Sequence, residues 1–262
     1  MPAVDTLKEI VQKKKERLEQ AQQAQPLEQL KLQLEALPPT RSFIEAINRQ
    51  KNLSLIAEIK KSSPSSGLIR EPFDPVAIAG AYRDAGVQAI SVLTEEDFFH
   101  GSLEHLRQVR STVDLALLRK DFILEPYQVY ESRVYGADAI LLIAEVLTRE
   151  QLLELAGLST SLGLDYLVEV HDEKTLKKVL NVKVPLIGIN NRSLHTLEID
   201  FKTTERLYPL VPKDKVVVVE SGIKSYQDTL FLKILGVNAV LVGTAFMQAQ
   251  DISRKVEELM GW

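Results

Sequence analysis

Short apolar runs alternate with longer amphipathic stretches along most of this 262-residue chain. The runs fall at 53–59, 89–93, 115–118, 139–143, 166–170, 186–189, 216–219 and 239–242. Each is almost continuously apolar, as parallel strands buried on both faces must be, whereas half-exposed antiparallel strands would alternate. Between the runs, apolar residues at three- and four-residue spacing predict helices over 75–85, 103–110, 126–135, 149–162, 173–180, 202–207 and 226–235, with a last one over 252–260. The stretches AGVQAI, YGADAI, LGLDYL and LGVNAV each put a glycine where a helix hands over to the next strand, and glycine accepts the left-handed backbone needed there. Eight strand–helix units predict an α/β fold, the (β/α)8 or TIM barrel. The competitor is a doubly wound open sheet, but no GxGxxG follows the first run.

Ahead of the first run the pattern changes. Residues 4–37 read as helical and polar, with Val4, Leu7, Ile10, Val11 and Leu18 on one apolar stripe, and Pro38 and Pro39 end the section. Ser42 followed by Glu45 reads as a capping box that opens a short helix reaching about Asn48. Residues 1–51 are therefore expected to be an N-terminal helical extension, and residues 52–262 the barrel domain.

The composition is that of an ordinary globular protein, 45% hydrophobic and 26% charged, with a formal net charge of −4. A mildly acidic chain has no basic footprint for nucleic acid or an anionic membrane, so neither is an expected partner. No apolar stretch is long enough to span a bilayer, and the charged N-terminus lacks the apolar core of a secretory signal. A cytoplasmic enzyme is the expectation. The absence of cysteine removes disulfides, thiolate nucleophiles and cysteine zinc sites, and His100, His105, His171 and His195 show no ligand spacing. No metal is expected.

In a barrel of this kind the chemistry sits at the C-terminal ends of the strands. The first run ends in Glu58, Lys60 and Ser63, the third in Arg119-Lys120-Asp121-Phe122, the fourth in Glu145 and the fifth in Glu169. The sixth ends in Asn190-Asn191-Arg192, the seventh in Glu220-Ser221-Gly222 and the eighth in Gly243-Thr244. Ser221, Gly222, Gly243 and Thr244 are small, and they follow the two strands whose loops commonly hold phosphate in such barrels. The alternative is that they only make tight turns. Lys60 stands an even step from Glu58 and so shares its face. Lysines in a barrel mouth need an anion or a carboxylate, and Glu58, Glu169 and Glu220 are available partners. Such a set can supply both acid and base, or serve as a structural ion-pair layer. His171 precedes a predicted helix and reads as a neighbour of its cap rather than as a catalytic group, and the other histidines receive no role.

Taken together, LIAEIKKSSPSSG, SVLTEEDFFHGS, LLRKDFI, ADAILLI, LVEVH, IGINNRSL, VVVESGI and AVLVGTAFM resemble the indole-3-glycerol-phosphate synthase family across all eight runs. The resemblance implies ring closure, decarboxylation and dehydration of 1-(2-carboxyphenylamino)-1-deoxyribulose 5-phosphate, with no cofactor. It implies Lys120 as general acid, Glu169 as the base of the dehydration, and Lys60 as anion binder and second proton donor. Glu58 would orient Lys60, and Asn190 and Glu220 would hold substrate hydroxyls and the lysines. Ser221, Gly222, Gly243 and Thr244 would take the phosphate, Ser63 and Arg192 would touch the substrate, and Phe99, Phe122 and Leu194 would form the pocket for the aromatic ring. Ser193 departs from the aspartate common in the family, and Thr244 stands where serine is frequent. The expected state is a monomer, with a weak homodimer as the alternative. Rival readings are a retaining glycosidase using Glu145 and Glu220, another phosphate-binding barrel, and a barrel that only senses a sugar phosphate.

Overall fold

Three helices, α1 (Thr6–Ala24), α2 (Leu27–Leu34) and α3 (Phe43–Ile47), precede the first strand of the computed structural model, which describes residues 6–49, 52–182 and 184–262. Eight strands then form where the apolar runs lie: β1 Ser54–Ile59, β2 Ala89–Leu93, β3 Ala116–Lys120, β4 Ala139–Ile143, β5 Asp165–Val170, β6 Leu186–Asn190, β7 Val216–Glu220 and β8 Ala239–Val242. Each pairs in parallel with its sequence neighbours, and β8 pairs with β1, so the sheet closes into the expected barrel. Between the strands run α4 (Pro75–Asp84), α5 (Leu103–Thr112), α6 (Pro126–Val134), α7 (Arg149–Ser161), α8 (Glu173–Leu180), α9 (Lys202–Leu207) and α10 (Tyr226–Leu235). After β8 come a single turn, α11 (Thr244–Met247), and the closing α12 (Ile252–Met260). The four junction glycines, Gly86, Gly136, Gly163 and Gly236, all have positive φ, as their placement predicts.

Alternation along each strand sorts its side chains into two sets. Ile56, Ala89, Leu118, Leu141, Leu167, Leu186, Val218 and Leu241 pack together inside the barrel. Leu55, Ile90, Leu117, Ile140, Val168, Ile187, Val217 and Val240, one step away on each strand, belong to the cluster shared with the outer helices. That parity decides which polar residues reach the interior.

The structure corrects several strand ends. The sequence pattern stops β3 at 118, β6 at 189 and β7 at 219, where the first polar side chain appears. In fact β3 continues through Arg119 and Lys120, β6 through Asn190 and β7 through Glu220, with Leu93 opposite Lys120 and Asn190 opposite Glu220 in the ladder. Polarity does not end these strands because their charged groups find buried partners.

The extension is also more divided than its pattern suggests. Pro26, which has no N–H to continue a helix, separates α1 from α2. Leu7, Ile10 and Leu18 are buried, as their stripe predicts, whereas Val4 and the proposed boundary at Lys51 lie outside the described residues. Each such buried aliphatic side chain is worth about 1.5–3 kcal/mol, enough to hold otherwise polar helices on the barrel. Leu7 and Ile10 join the interior cluster together with Phe98, Phe99, Phe122 and Leu194. Next on the same helix, Lys14 is buried and ion-paired at 2.8 Å to both Asp121 and Glu96, while Arg17 grips Asp97. Farther along, the Tyr127 hydroxyl of α6 donates to the carbonyls of Ala21 and Gln25. At the opposite end of the barrel, Ser42 caps α3 by accepting from the Glu45 N–H, and Asp165 at the start of β5 accepts from the Ile44 N–H. The extension thus touches both ends of the barrel.

Candidate active site

A cavity of about 620 Å³ opens over the C-terminal ends of the strands. Its floor carries Glu58, Lys120, Glu169, Asn190 and Glu220, all on the interior parity of their strands. One wall is apolar, built by Leu93, Phe99, Phe122, Leu141, Ile143 and Leu194. The other holds Ser221, Gly222, Gly243 and Thr244, with Lys224, Gln248 and Lys255 beside them. Lys60 and Arg192 also line the cavity. Of the site residues that the resemblance implies, Ser63 alone is not brought to the lining. It is buried in a two-stranded ribbon leaving β1, with its hydroxyl 3.4 Å from that of Ser65.

The charged floor is arranged around two lysines. Lys60 Nζ donates to Glu58 Oε1 at 2.6 Å, which is the pairing their even spacing predicts. Lys120 Nζ lies 3.2 Å from Glu220 Oε2 and 3.5 Å from Glu169 Oε2. Burial works against the charged form of Lys120, but Glu220, Glu169 and Glu58 outweigh it and raise its proton affinity well above that of an ordinary lysine. Glu169 is pushed upward by burial and pulled down further by Lys120 and His171, so it stays ionised. Glu220 moves the other way. Its burial is relieved only in part by Lys120, and the neighbouring charge of Glu169 raises it further, to about 7. The lysine therefore sits between one firmly charged carboxylate and one close to neutrality.

Several atoms of this cluster keep unused hydrogen-bonding capacity. Glu169 Oε2 and Glu220 Oε1 are buried and make no hydrogen bond within the protein. A network built only for stability satisfies its members, so carboxylate oxygens left without a hydrogen bond in residues that line a cavity mark a site for a polar ligand.

Steric constraints fix the small residues. A Cβ on Gly243 would lie 2.4 Å from Glu58 Oε1, so only glycine lets β8 pass so close to the floor. Ser221 and Gly222 both have positive φ, 66° and 85°. A serine held in the left-handed region stores strain, typically about 1–2 kcal/mol, and such residues gather at functional turns.

Sequence reasoning passed over His171. Its backbone does stand beside the α8 cap, its N–H donating to Thr175 Oγ1. Its side chain, however, is buried, with Nε2 3.2 Å from Glu169 and Nδ1 3.4 Å from Glu145. The signal was available, since His171 stands an even step from Glu169, as Lys60 does from Glu58. Lys255 was also missed, and nothing in its helical context on α12 marks it. Glu145 lies outside the cavity lining and pairs with His171 and His195, which removes the basis for a Glu145–Glu220 glycosidase pair.

Fold and site together define a TIM-barrel enzyme with a cavity and a charged cluster at the C-terminal strand ends. Among solved structures, the barrel resembles 3-hexulose-6-phosphate synthase from Salmonella typhimurium, with a TM-score of 0.64 and 11% identity over 80% of this chain and 97% of that one. It also resembles a chain of the tryptophan synthase complex of Pyrococcus furiosus, with a TM-score of 0.60 and 16% identity over 80% and 98%. Those likenesses concern the fold. The sequence goes further: the model of the indole-3-glycerol phosphate synthase family matches residues 7–259, and the chain belongs to that family. The indole-3-glycerol phosphate synthase of Rhodopirellula baltica is 46% identical over 97% of this chain and 98% of its own. That of Acetivibrio thermocellus is 50% identical over 82% and 83%.

Proposed function

We propose that the chain is a carboxy-lyase that closes the pyrrole ring of indole-3-glycerol phosphate from 1-(2-carboxyphenylamino)-1-deoxyribulose 5-phosphate. The observation that carries this reading is the position of Lys120, held between Glu169 and Glu220 at the meeting point of an apolar wall and a wall of small residues. A substrate with an aromatic acid at one end and a phosphate at the other matches those two walls.

In the first step the ring carbon bearing the carboxylate attacks the ribulose carbonyl carbon, and Lys120 gives a proton to the carbonyl oxygen. Positive charge then resides on the ring nitrogen, and Glu58, Glu169 and Glu220 offset it. The bond to the carboxylate breaks, its electron pair restores the aromatic ring, and carbon dioxide leaves. Phe99, Phe122 and Leu194 hold the ring where water is excluded. In the last step the new hydroxyl leaves as water after taking a proton from a lysine ammonium, Lys60 or Lys120, while Glu169 removes a proton from the carbon beside nitrogen. Glu58 orients Lys60, and Asn190 and Arg192 bind the substrate's hydroxyl and carboxylate groups.

For the phosphate, the first N–H groups of α11 have no partners within the helix, and Ser221 and Gly222 approach from the neighbouring loop. Lys224 and Lys255 add positive charge on that side of the cavity. The enzyme works as a cytoplasmic monomer in this reading, with a weak homodimer the alternative. Among the described residues no helix is long and apolar enough to cross a membrane.

Purified protein mixed with the carboxyphenylamino-deoxyribulose phosphate should develop indole fluorescence and release one carbon dioxide for each indole formed. Folded protein that yields no indole product rejects the reading.

A further inference from the structure

The proposed reaction has a proton demand that the catalytic lysines cannot meet from within the site. Two protons are given up in each turnover, one to the carbonyl oxygen and one to the departing hydroxyl. One is recovered, from the carbon beside nitrogen. The carboxylate leaves as neutral carbon dioxide, so its negative charge is balanced by one proton drawn from solvent. Lys120, with 15% of its side chain exposed, lines the substrate cavity, and both it and Glu169 would be covered by the substrate that consumes the proton.

Behind Glu169, away from the cavity lining, the structure holds a row of titratable groups. His171 Nε2 is 3.2 Å from Glu169 Oε1, and His171 Nδ1 is 3.4 Å from Glu145 Oε2. Glu145 Oε1 is in turn 2.9 Å from Nε2 of His195. Side-chain exposure rises along the row, from 1% at Glu169 through 9% at His171 and 21% at Glu145 to 47% at His195. Three different strand ends supply it, those of β5, β4 and β6. Both ring nitrogens of His171 face a carboxylate within contact distance, yet neither contact is aligned as a hydrogen bond. A group that passes a proton between two partners has to align with each of them in turn.

We propose that His171, Glu145 and His195 form a proton path from solvent to Glu169, with His171 the positioning and relay residue that recharges the Lys120 acid. The proton enters at His195, passes through Glu145 to one nitrogen of His171 while the other nitrogen releases its own to Glu169, and moves on to Lys120 across their 3.5 Å contact. The ring then turns back between its carboxylates. This rests on the ring-closing reaction proposed above, because that reaction sets the proton demand.

The electrostatic surroundings suit the role. Burial disfavours the charged imidazole, but Glu169, Glu145 and Glu220 together raise its proton affinity above the ordinary value. The charged groups facing it are Glu169 on its own strand, Glu145 from the β4 end, Glu220 from β7 and Asp172 at the α8 cap. On the cationic side Lys178 of α8 lies near Glu145, donating to the Ala144 and Leu147 carbonyls, and Lys120 lies across Glu169.

The test uses the full chain with the carboxyphenylamino-deoxyribulose phosphate in weakly buffered solution, comparing wild type with His171→Ala and His195→Ala. For His171→Ala, kcat should fall by about tenfold while KM stays close to wild type, a smaller loss than removal of a primary acid or base causes. Added imidazole at constant pH and ionic strength should restore kcat in a saturable manner and leave wild type unaffected. His195→Ala, at the exposed end, should show a smaller loss with the same rescue, and it decides the matter alone if His171→Ala does not fold. Wild-type kcat in the variants at low buffer, or a loss that imidazole does not relieve, overturns the path while leaving the ring-closing activity standing. A wild-type protein without turnover overturns the activity and the path together.

Discussion

Two buried ion networks meet on strand β3, and they alternate along it. Lys120 points into the barrel, where it contacts Glu169 and Glu220 under the cavity. Arg119, one residue earlier, points outward and is ion-paired to Asp121 at 3.0 Å and to Glu131 at 2.8 Å. Its remaining donors reach the Thr94 hydroxyl, the Gln128 carbonyl and the Ser132 hydroxyl. Asp121 closes that network by accepting from Thr94 and pairing with Lys14 of the extension. Every member of the outer network has partners, and it lies between strand, helix and extension, reaching the cavity lining through Asp121 while Arg119 itself stays out of it. The inner network leaves carboxylate oxygens unbonded and faces a cavity. Burial of charge is common to both, so burial alone does not identify a catalytic group; parity and unused bonding capacity do.

Mutations can break this contrast. Glu169→Gln should lower kcat by about 10²–10⁴-fold, the range for loss of a general base, with unchanged thermal stability. A variant with near wild-type kcat would move the base elsewhere. Arg119→Met should act in the opposite sense, costing about 3–5 kcal/mol of stability, because it strands Glu131 as a buried charge and leaves Asp121 with Lys14 as its remaining cation. Denaturant unfolding measures that loss, and kcat per folded molecule should remain near wild type; a kcat loss without destabilisation would make the outer network catalytic.

Acid sharpens the comparison further, with a smaller effect. Burial raises the proton affinity of Asp121, but Lys14 and Arg119 outweigh it and hold its carboxyl well below the usual carboxylate range. A group depressed in the folded state adds stability that is complete above its unfolded value, about 3.9, and is lost as pH falls below it. Stability of the wild type should therefore decline on acidification through that region. Asp121→Asn should show a shallower decline, and identical slopes for the two proteins would remove Asp121 from the acid-sensitive set.

Much of this was legible in the sequence, for identifiable reasons. Apolar runs, four of them preceded by a junction glycine, specify eight strands because parallel strands buried on both faces have no polar side to hide. The even step from Glu58 to Lys60 placed both on one face, and the structure pairs them. The ends of β3, β6 and β7 are not legible, because a polar side chain reads as the end of a strand while the partners that bury it come from distant segments. Lys14 of α1 contacts Asp121 more than a hundred residues away, and no local pattern encodes that. His171 is readable by the same parity as Lys60, but its place ahead of a helix cap points to the backbone role that it also has. Ser63 shows the converse, a motif residue that the fold buries away from the cavity lining.

The central claim is that the inward-facing lysine of β3 performs the chemistry. Lys120→Met tests it most directly when substrate binding, followed by equilibrium titration, is measured beside carbon dioxide release on the same folded sample. The account predicts that substrate still binds, through the apolar and small-residue walls, and that carbon dioxide release is abolished. Release of carbon dioxide at the wild-type rate by Lys120→Met would contradict it.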